Sequence, residues 1–402
     1  VGPDKRFALS GMTDMEVRRG SGADPEGPEL QANLLSYPRE RVRRKSLGMA
    51  RYEALRQYLP GQAAFCRANG SPFSASVLEQ MADGLGRGEP YDALFEPWAD
   101  APLRQIFTDA APLRLLGAFH YLVLSDRAPD LKALYPPAGP DPDPCALGAA
   151  MADAAAAHSR IIQGFMASPP QTNEVARSLG LVGGFLTVAA KTGLPLRCLE
   201  LGASAGLNMN WDLFGYSFGG GATWGDPGSP VQLNGDWTGG APPRPSVQVI
   251  ERLACDQAPI DVGDPDLALR LQSYVWADQS LRLARLRGAI ALKQQTGGTP
   301  ECADAADWTE AHVHPSPGAA AVVYHSVFLQ YPPEAVQARI RAAISRAGAA
   351  ATAQSPVGWL RMEPDPDNLS GPMDVRLTLW PGGEERLLAR AHPHGAAVTW
   401  LD

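Results

Sequence analysis

The stretch Cys198–Asp212, CLELGASAGLNMNWD, concentrates residues whose types and spacing suit chemistry. An apolar run ends on Glu200 and Leu201, and Gly202 and Gly206 follow four apart with Ser204 between them. Glycine takes backbone angles closed to other residues and lets a ligand lie against bare main chain. A helix beginning after Ala203 would present unpaired N–H groups and the positive end of a dipole to that ligand. Glu200, at the end of the run, suits an ammonium or hydroxyl donor. The chemistry implied is the binding of a nucleotide-like molecule, with a ligand-free tight turn as the plainer alternative. A dinucleotide fingerprint needs G-x-G-x-x-G, but Ser204 and Leu207 stand where its second and third glycines belong, so NAD fits poorly.

Other polar side chains invite roles of their own. His325 and Ser326 close the apolar run Ala319–Tyr324. A histidine there suits a general base toward a hydroxyl or amine, because it titrates near neutrality. A hydrogen-bonded histidine that shapes a pocket is an equal alternative. Glu363 follows Val357–Met362 in the equivalent position. His312 and His314, and again His392 and His394, form H-x-H pairs whose alternation suits a metal. Neither pair has a partner at ligand spacing, so a turn or surface role is preferred and no metal site is assigned. Asn173 and Glu174 precede a helical pattern and either face the pocket or cap that helix.

These residues need elements to position them. A chain of 402 residues accommodates two domains or one elaborated α/β unit, and 45% hydrophobic residues suffice for large cores. A net charge of −8 offers no basic field to nucleic acid. The longest nearly apolar run, Leu179–Ala190, falls short of the ~20 residues of a membrane-spanning helix. Asp4, Lys5 and Arg6 stand where a signal peptide would carry its apolar core, and Met12 is a candidate start. Five scattered cysteines without a CxxC pair argue against a disulfide framework, and a reducing cytoplasm is the expected location.

Residues 1–28 are polar and glycine-rich and are expected to be disordered. Residues 29–165 read as a helical domain broken by Pro60, Pro72, Pro90 and Pro102, with a basic run at Arg39–Lys45 taken as a solvated face. Pro136–Pro144 reads as a linker. Residues 166–402 then alternate helices with apolar strands: a helix from Val175, strands at Leu196–Leu201, Ser246–Ile250, Ala319–Tyr324 and Val357–Met362, and helices at Asp264–Gln295 and Pro333–Gly348. Val375–Trp380, Arg386–Ala391 and Ala397–Leu401 read as antiparallel strands. The fold class expected is α/β, a Rossmann-like, mostly parallel sheet covered on both faces and finished by antiparallel strands, with an N-terminal α-helical domain. Residues 216–245, rich in Gly, Pro and Trp, read as an inserted loop forming a wall of the ligand site.

The pattern E-x-G-x-x-x-G resembles the first motif of class I S-adenosylmethionine-dependent methyltransferases, which usually show an acid, then G-x-G-x-G. That resemblance implies that Glu200, Gly202, Ser204 and Gly206, with Asn208 just beyond, surround the methionine part of the cofactor. It implies that Asp256 grips the ribose hydroxyls and that Asp304 or Asp307, with Trp308 adding stacking area, sits near adenine. The runs QTNEVARSLGL, LELGASAGLNMNWD, YVWADQ, YHSVFLQY, WLRMEP and HPHG, in this order, resemble an uncharacterised bacterial family, a domain of unknown function (DUF2332) with a methyltransferase-like fold. The resemblance spans roughly residues 30–402. It implies fold more than chemistry; the methyltransferase motif and the site residues carry the expectation of S-adenosylmethionine-dependent methyl transfer to a small-molecule acceptor, with His325 or Glu363 taking a proton. A non-catalytic nucleotide- or metabolite-binding protein on the same fold is the alternative.

Overall fold

The computed structural model describes residues 51–402 except Glu89 and Pro366. The expectations for residues 1–28 and for the basic run Arg39–Lys45 lie outside the described residues.

The first part is helical: α1 (Glu53–Ala68), α2 (Pro72–Gly84), α3 (Leu103–Asp109), α4 (Ala111–Leu124), α5 (Pro129–Ala133), α6 (Pro144–Ala157) and α7 (Ser159–Met166). Their apolar stripes close on a core of their own, with Leu55, Leu59, Leu78, Met81, Phe119 and Leu122 fully buried. Pro60 does not end its helix as the sequence suggests. It sits on the exposed face of α1, where water reaches the carbonyl whose partner it removes. Pro144 is the first residue of α6, held by the Asp143 carboxylate accepting from Ala146 N–H at 2.9 Å, so the expected linker ends in a capped helix.

The second part opens with α8 (Arg177–Thr192), which stops at Gly193 in the left-handed conformation, and leads into β1 (Leu196–Leu201). Residues 202–248 follow and hold a 3-10 helix (Leu207–Leu213) and the short strands β2 (Gly215–Ser217), β3 (Thr223–Gly225), β4 (Gln232–Asn234) and β5 (Asp236–Thr238). Then come β6 (Val249–Asp256), α9 (Pro265–Ser273), α10 (Ser280–Thr296), β7 (Glu301–Cys302), α11 (Ala305–His312), β8 (Ala320–Ser326), α12 (Glu334–Ala349) and β9 (Val357–Asp365). The chain finishes on β10 (Asn368–Trp380), β11 (Glu384–Ala391) and β12 (Ala397–Trp400).

One nine-stranded sheet runs in the order β5-β12-β11-β10-β9-β8-β1-β6-β7. From β7 to β9 all neighbours are parallel, and β9 to β12 form an antiparallel meander. Alternation along β1 divides the cores. Leu196 and Cys198 pack on the side of α8, while Leu199 and Leu201 pack against α11 and α12. The chain leaves β1 toward β6 and β7, then returns to place β8 on the other flank of β1. Strand order therefore reverses between β1 and β8, the place where open α/β sheets bind ligands at strand carboxyl ends.

The insertion is a packing element. β2, β3 and β4 form a small sheet, and β5 adds to the main sheet beside β12. Its tryptophans face inward: Trp224 stacks on Trp211 at 5.7 Å, and Trp237 lies 6.1 Å from Trp400. The helical part docks on the loop before α10, where Asp278 accepts from Ser71 Oγ and from Phe73 N–H at 2.9 Å, fixing the start of α2.

Candidate functional site

The turn after β1 is built from left-handed residues. Gly202 has φ +67°, Ser204 +54° and Gly206 +68°. Serine in that region pays a steric cost that glycine avoids. The Ser204 hydroxyl is also buried without a hydrogen-bond partner among the described residues. Across the strand reversal, the loop after β8 carries a second non-glycine outlier, Val327 at φ +52°. Strained residues thus stand on both sides of the strand reversal.

The sequence leads one to expect unpaired N–H groups here, and the structure differs. Gly202 and Ala203 N–H donate to Cys255 O at 3.0 and 3.1 Å, and Gly206 N–H donates to Ala203 O at 2.8 Å. Ser204 N–H donates to Asp256 Oδ2 at 2.8 Å, and Leu207 N–H to Asn173 Oδ1 at 3.0 Å. The element that follows is a seven-residue 3-10 segment with a non-helical Asn210, not an α-helix, so it lacks a long helix's dipole. Asn173, expected to cap its own helix, instead accepts from the start of this one.

The space in front of the turn is filled. A Cβ added to Gly202 would lie 2.3 Å from the Phe328 ring, and one added to Gly206 would lie 2.8 Å from Met209 Sδ and 3.1 Å from Pro300. Glu200 is buried on the α8 side of β1 and accepts from Tyr324 O–H at 3.1 Å. Burial pushes its carboxyl up to about 8, against the pull of Tyr324 and Lys293, so it holds its proton at neutrality. Burial pulls the Lys293 ammonium down, and the hydrogen-bond acceptor it finds is Met209 Sδ at 3.3 Å. Asn208 bridges elements: its amide accepts from Ser178 Oγ at 2.9 Å and donates to Glu174 O at 3.3 Å. Asp256, the expected ribose acid, is at the end of β6, but both oxygens are engaged, the second by Ala258 N–H at 2.9 Å.

His325 and Glu363 do meet, at 2.6 Å from Nδ1 to Oε1, with the histidine fully buried. The Trp359 indole N–H, which can only donate, points at His325 Nε2 at 3.0 Å. The imidazole proton therefore sits on Nδ1 and is donated to Glu363, a tautomer assigned from the network. Glu363 in turn accepts from Phe328 N–H at 2.9 Å and Leu329 N–H at 3.3 Å. Both ring nitrogens of His325 are thus engaged within the protein. Trp359, His325 and Glu363 form a chain that fixes the loop bearing Phe328.

Asp307 does not join this set. It lies on the outer surface, paired with Arg339 of α12 at 2.6 Å, because the register of α11 turns it toward α12. Asp304 caps α11, accepting from Ala306 N–H at 2.9 Å. Trp308 is buried in the α11–α12 core, where it stacks on His312. Of the pair His392 and His394, His394 approaches a carboxylate, its Nδ1 lying 3.5 Å from Glu174 Oε2, while His392 Nδ1 accepts from His394 N–H at 3.1 Å. Among the described residues no group of three His, Cys, Asp or Glu side chains is placed to hold a metal ion.

Sequence reasoning did not single out the arginines. Glu174 is buried and pairs with Arg282 at 2.7 Å. Burial alone would raise its pKa, but Arg282, His394 and Arg177 outweigh it and hold the carboxyl down at about 2. Arg177 donates to Pro393 O at 3.0 Å and reaches Ser326 O at 3.5 Å, tying α8 to the β8 loop and to the HPHG turn. The signal available was the pair of arginines in SLRLARL, three apart on one helical face.

Fold and site together define an α/β protein with a large, mostly parallel sheet, N-terminal helices and a strained turn at the point where strand order reverses. A family model described as "Uncharacterized protein conserved in bacteria (DUF2332)" matches residues 56–400, and the chain belongs to that family. No curated protein and no solved structure matches it. Among the described residues no helix is long and apolar enough to cross a membrane.

Proposed function

We propose that the region at the carboxyl ends of β1 and β8 is a ligand site of the methyltransferase kind, in which S-adenosylmethionine supplies the methyl group and a small molecule accepts it. The observation that carries this reading is the pairing of left-handed Ser204 and Val327 on the two loops flanking the strand reversal. Such strain persists where the surroundings enforce it, and it gathers at functional sites. The strand order β7-β6-β1-β8-β9, with acids Glu200 and Asp256 at the ends of β1 and β6, supports the same reading.

The residues as arranged do not fit the cofactor. Phe328 covers Gly202, and the Asp256 oxygens are engaged by the main chain. Uptake requires the Phe328 loop to move, and no catalytic step is assigned to His325 or Glu363. Calorimetric titration with S-adenosylhomocysteine tests the proposal. Phe328→Ala uncovers the turn and is expected to bind more tightly than the unaltered chain. Absence of heat at millimolar ligand from both folded proteins overturns the reading. The second reading, a non-catalytic binding protein on the same scaffold, is favoured by the engagement of both His325 nitrogens. It predicts S-adenosylhomocysteine binding without methyl transfer from labelled cofactor into a metabolite extract.

A further inference from the structure

A groove of about 190 Å3 lies where the helical part meets the α/β part, between α4, α7 and α9. It has room for a small metabolite, since ~150 Å3 of apolar space already holds benzene. Its lining is mostly apolar: the rings of Tyr121 and Phe165, packed 5.3 Å apart, with Ile161 and the 40%-exposed Leu267 completing it. The two charged residues are Asp266 and Arg270, both on α9. An acid four residues ahead of an arginine is the spacing at which the two ordinarily pair on one helix. Here they form no ion pair with each other or with any other described residue, because each is tied to a different helix. Asp266 Oδ1 accepts from Tyr121 O–H of α4 at 3.3 Å. The Arg270 guanidinium lies over the Phe165 ring, 4.2 Å from its centroid, and its Nη2 donates to Gly164 O of α7 at 3.1 Å and to Ser168 Oγ at 2.9 Å. Those contacts fix both charged groups, yet they use Nη2 alone of the five-donor fork and one oxygen of the carboxylate.

We propose that this groove binds a free α-amino acid with an apolar side chain: Asp266 takes its ammonium group, Arg270 its carboxylate, and the side chain lies on Tyr121, Ile161, Phe165 and Leu267. The ligand then bridges two charges that the protein holds apart, and its apolar part covers surface that otherwise meets water. An amine alone or a carboxylate alone would leave one of the two unpaired. The site is separate from the turn after β1 and does not depend on what that turn binds.

The test is calorimetric titration of the full chain with L-leucine, alongside N-acetyl-L-leucine, which lacks the ammonium group, and L-leucinamide, which lacks the carboxylate. L-Leucine is expected to bind, and loss of either charged end to weaken binding roughly 10- to 100-fold, the worth of one charge-assisted contact. Asp266→Asn, which keeps an oxygen for Tyr121, is expected to weaken L-leucine by a similar factor while melting as the unaltered chain does. Leu267→Trp, a substitution at an exposed position, fills the groove and is expected to abolish binding without unfolding the protein. The proposal is overturned if L-leucine does not bind at millimolar concentration or if either derivative binds as tightly as L-leucine. It is equally overturned if folded Asp266→Asn or Leu267→Trp protein keeps full affinity.

Discussion

Replacing Glu200 by glutamine is expected to stabilise the protein above pH 5, by more as the pH rises. The Glu200 carboxyl is 4% exposed, accepts from Tyr324 O–H and has Lys293 as its nearby cation. Burial lifts its pKa from 4.5 to about 8 in the folded chain. The sign follows from proton counting. Between these values the native state holds a proton that the unfolded state has released, so stability is greatest below 4.5 and falls as pH rises through 8. The fall is about tenfold in the unfolding equilibrium per pH unit, on the order of 5 kcal/mol across the window as an upper bound. Glutamine keeps the shape and an oxygen for Tyr324 but does not titrate. Lys293, already pulled down by burial, adds a slope of opposite sign: its contribution rises with pH above its folded value. Urea unfolding followed by tryptophan fluorescence, at half-unit steps from pH 5 to 8.5, measures the difference. The two curves should nearly meet at pH 5 and separate by several kcal/mol at pH 8. Parallel curves would mean that Glu200 is ionised in the folded protein, and the account of this turn would fail.

Glu174→Gln removes the acid that balances Arg282, His394 and Arg177 and is expected to cost about 3–5 kcal/mol at pH 7. Because the folded pKa is depressed to about 2, the unaltered chain should lose this contribution as pH falls from 4.5 through 2 while the variant does not, as read by acid titration of circular dichroism. Gly395 and Gly193 are both left-handed, but a Cβ at Gly395 would lie 2.2 Å from Ala176 O while nothing stands within 4 Å at Gly193. Gly193→Ala should cost about 1–2 kcal/mol from conformation alone, and Gly395→Ala distinctly more. Equal losses in chemical denaturation would contradict the packing of the HPHG turn on α8.

The parts of the fold that the sequence displays are those set by local pattern. Leu196–Leu201 is the strand that its apolar run announces, and alternation of helices with apolar strands gives a sheet whose centre is parallel. The strand expected at Ser246–Ile250 lies instead at Val249–Asp256, so Asp256 ends the strand that it was expected to follow. What escaped depends on contacts between distant segments. That Asn173 reaches Leu207 N–H, or that Trp359 turns its indole onto His325, follows from strand order and register, which no window of sequence contains. Asp307 was misplaced because a short helix can turn either face outward, and here pairing with Arg339 decided it.

The segments that make the sequence distinctive are brought to one place, and the way they meet bears on how the site works. Asn173 and Glu174 hold the 3-10 helix after the turn. Arg177 holds Pro393 and Ser326, and Glu363 holds Phe328 and Leu329. Left-handed valine costs about 1–2 kcal/mol, and a charge-assisted hydrogen bond returns about 1.5–3 kcal/mol. The Glu363 carboxylate, accepting from two backbone N–H groups, offsets that cost, and Val327 N–H on Met362 O at 2.8 Å together with Arg177 at Ser326 O anchors the same loop, with Phe328 over Gly202. Glu363 is aligned by His325, whose second nitrogen accepts from the Trp359 indole, so the three side chains set the position of the loop together. The histidine and glutamate that sequence alone would cast as proton acceptors thus hold the backbone of the loop after β8.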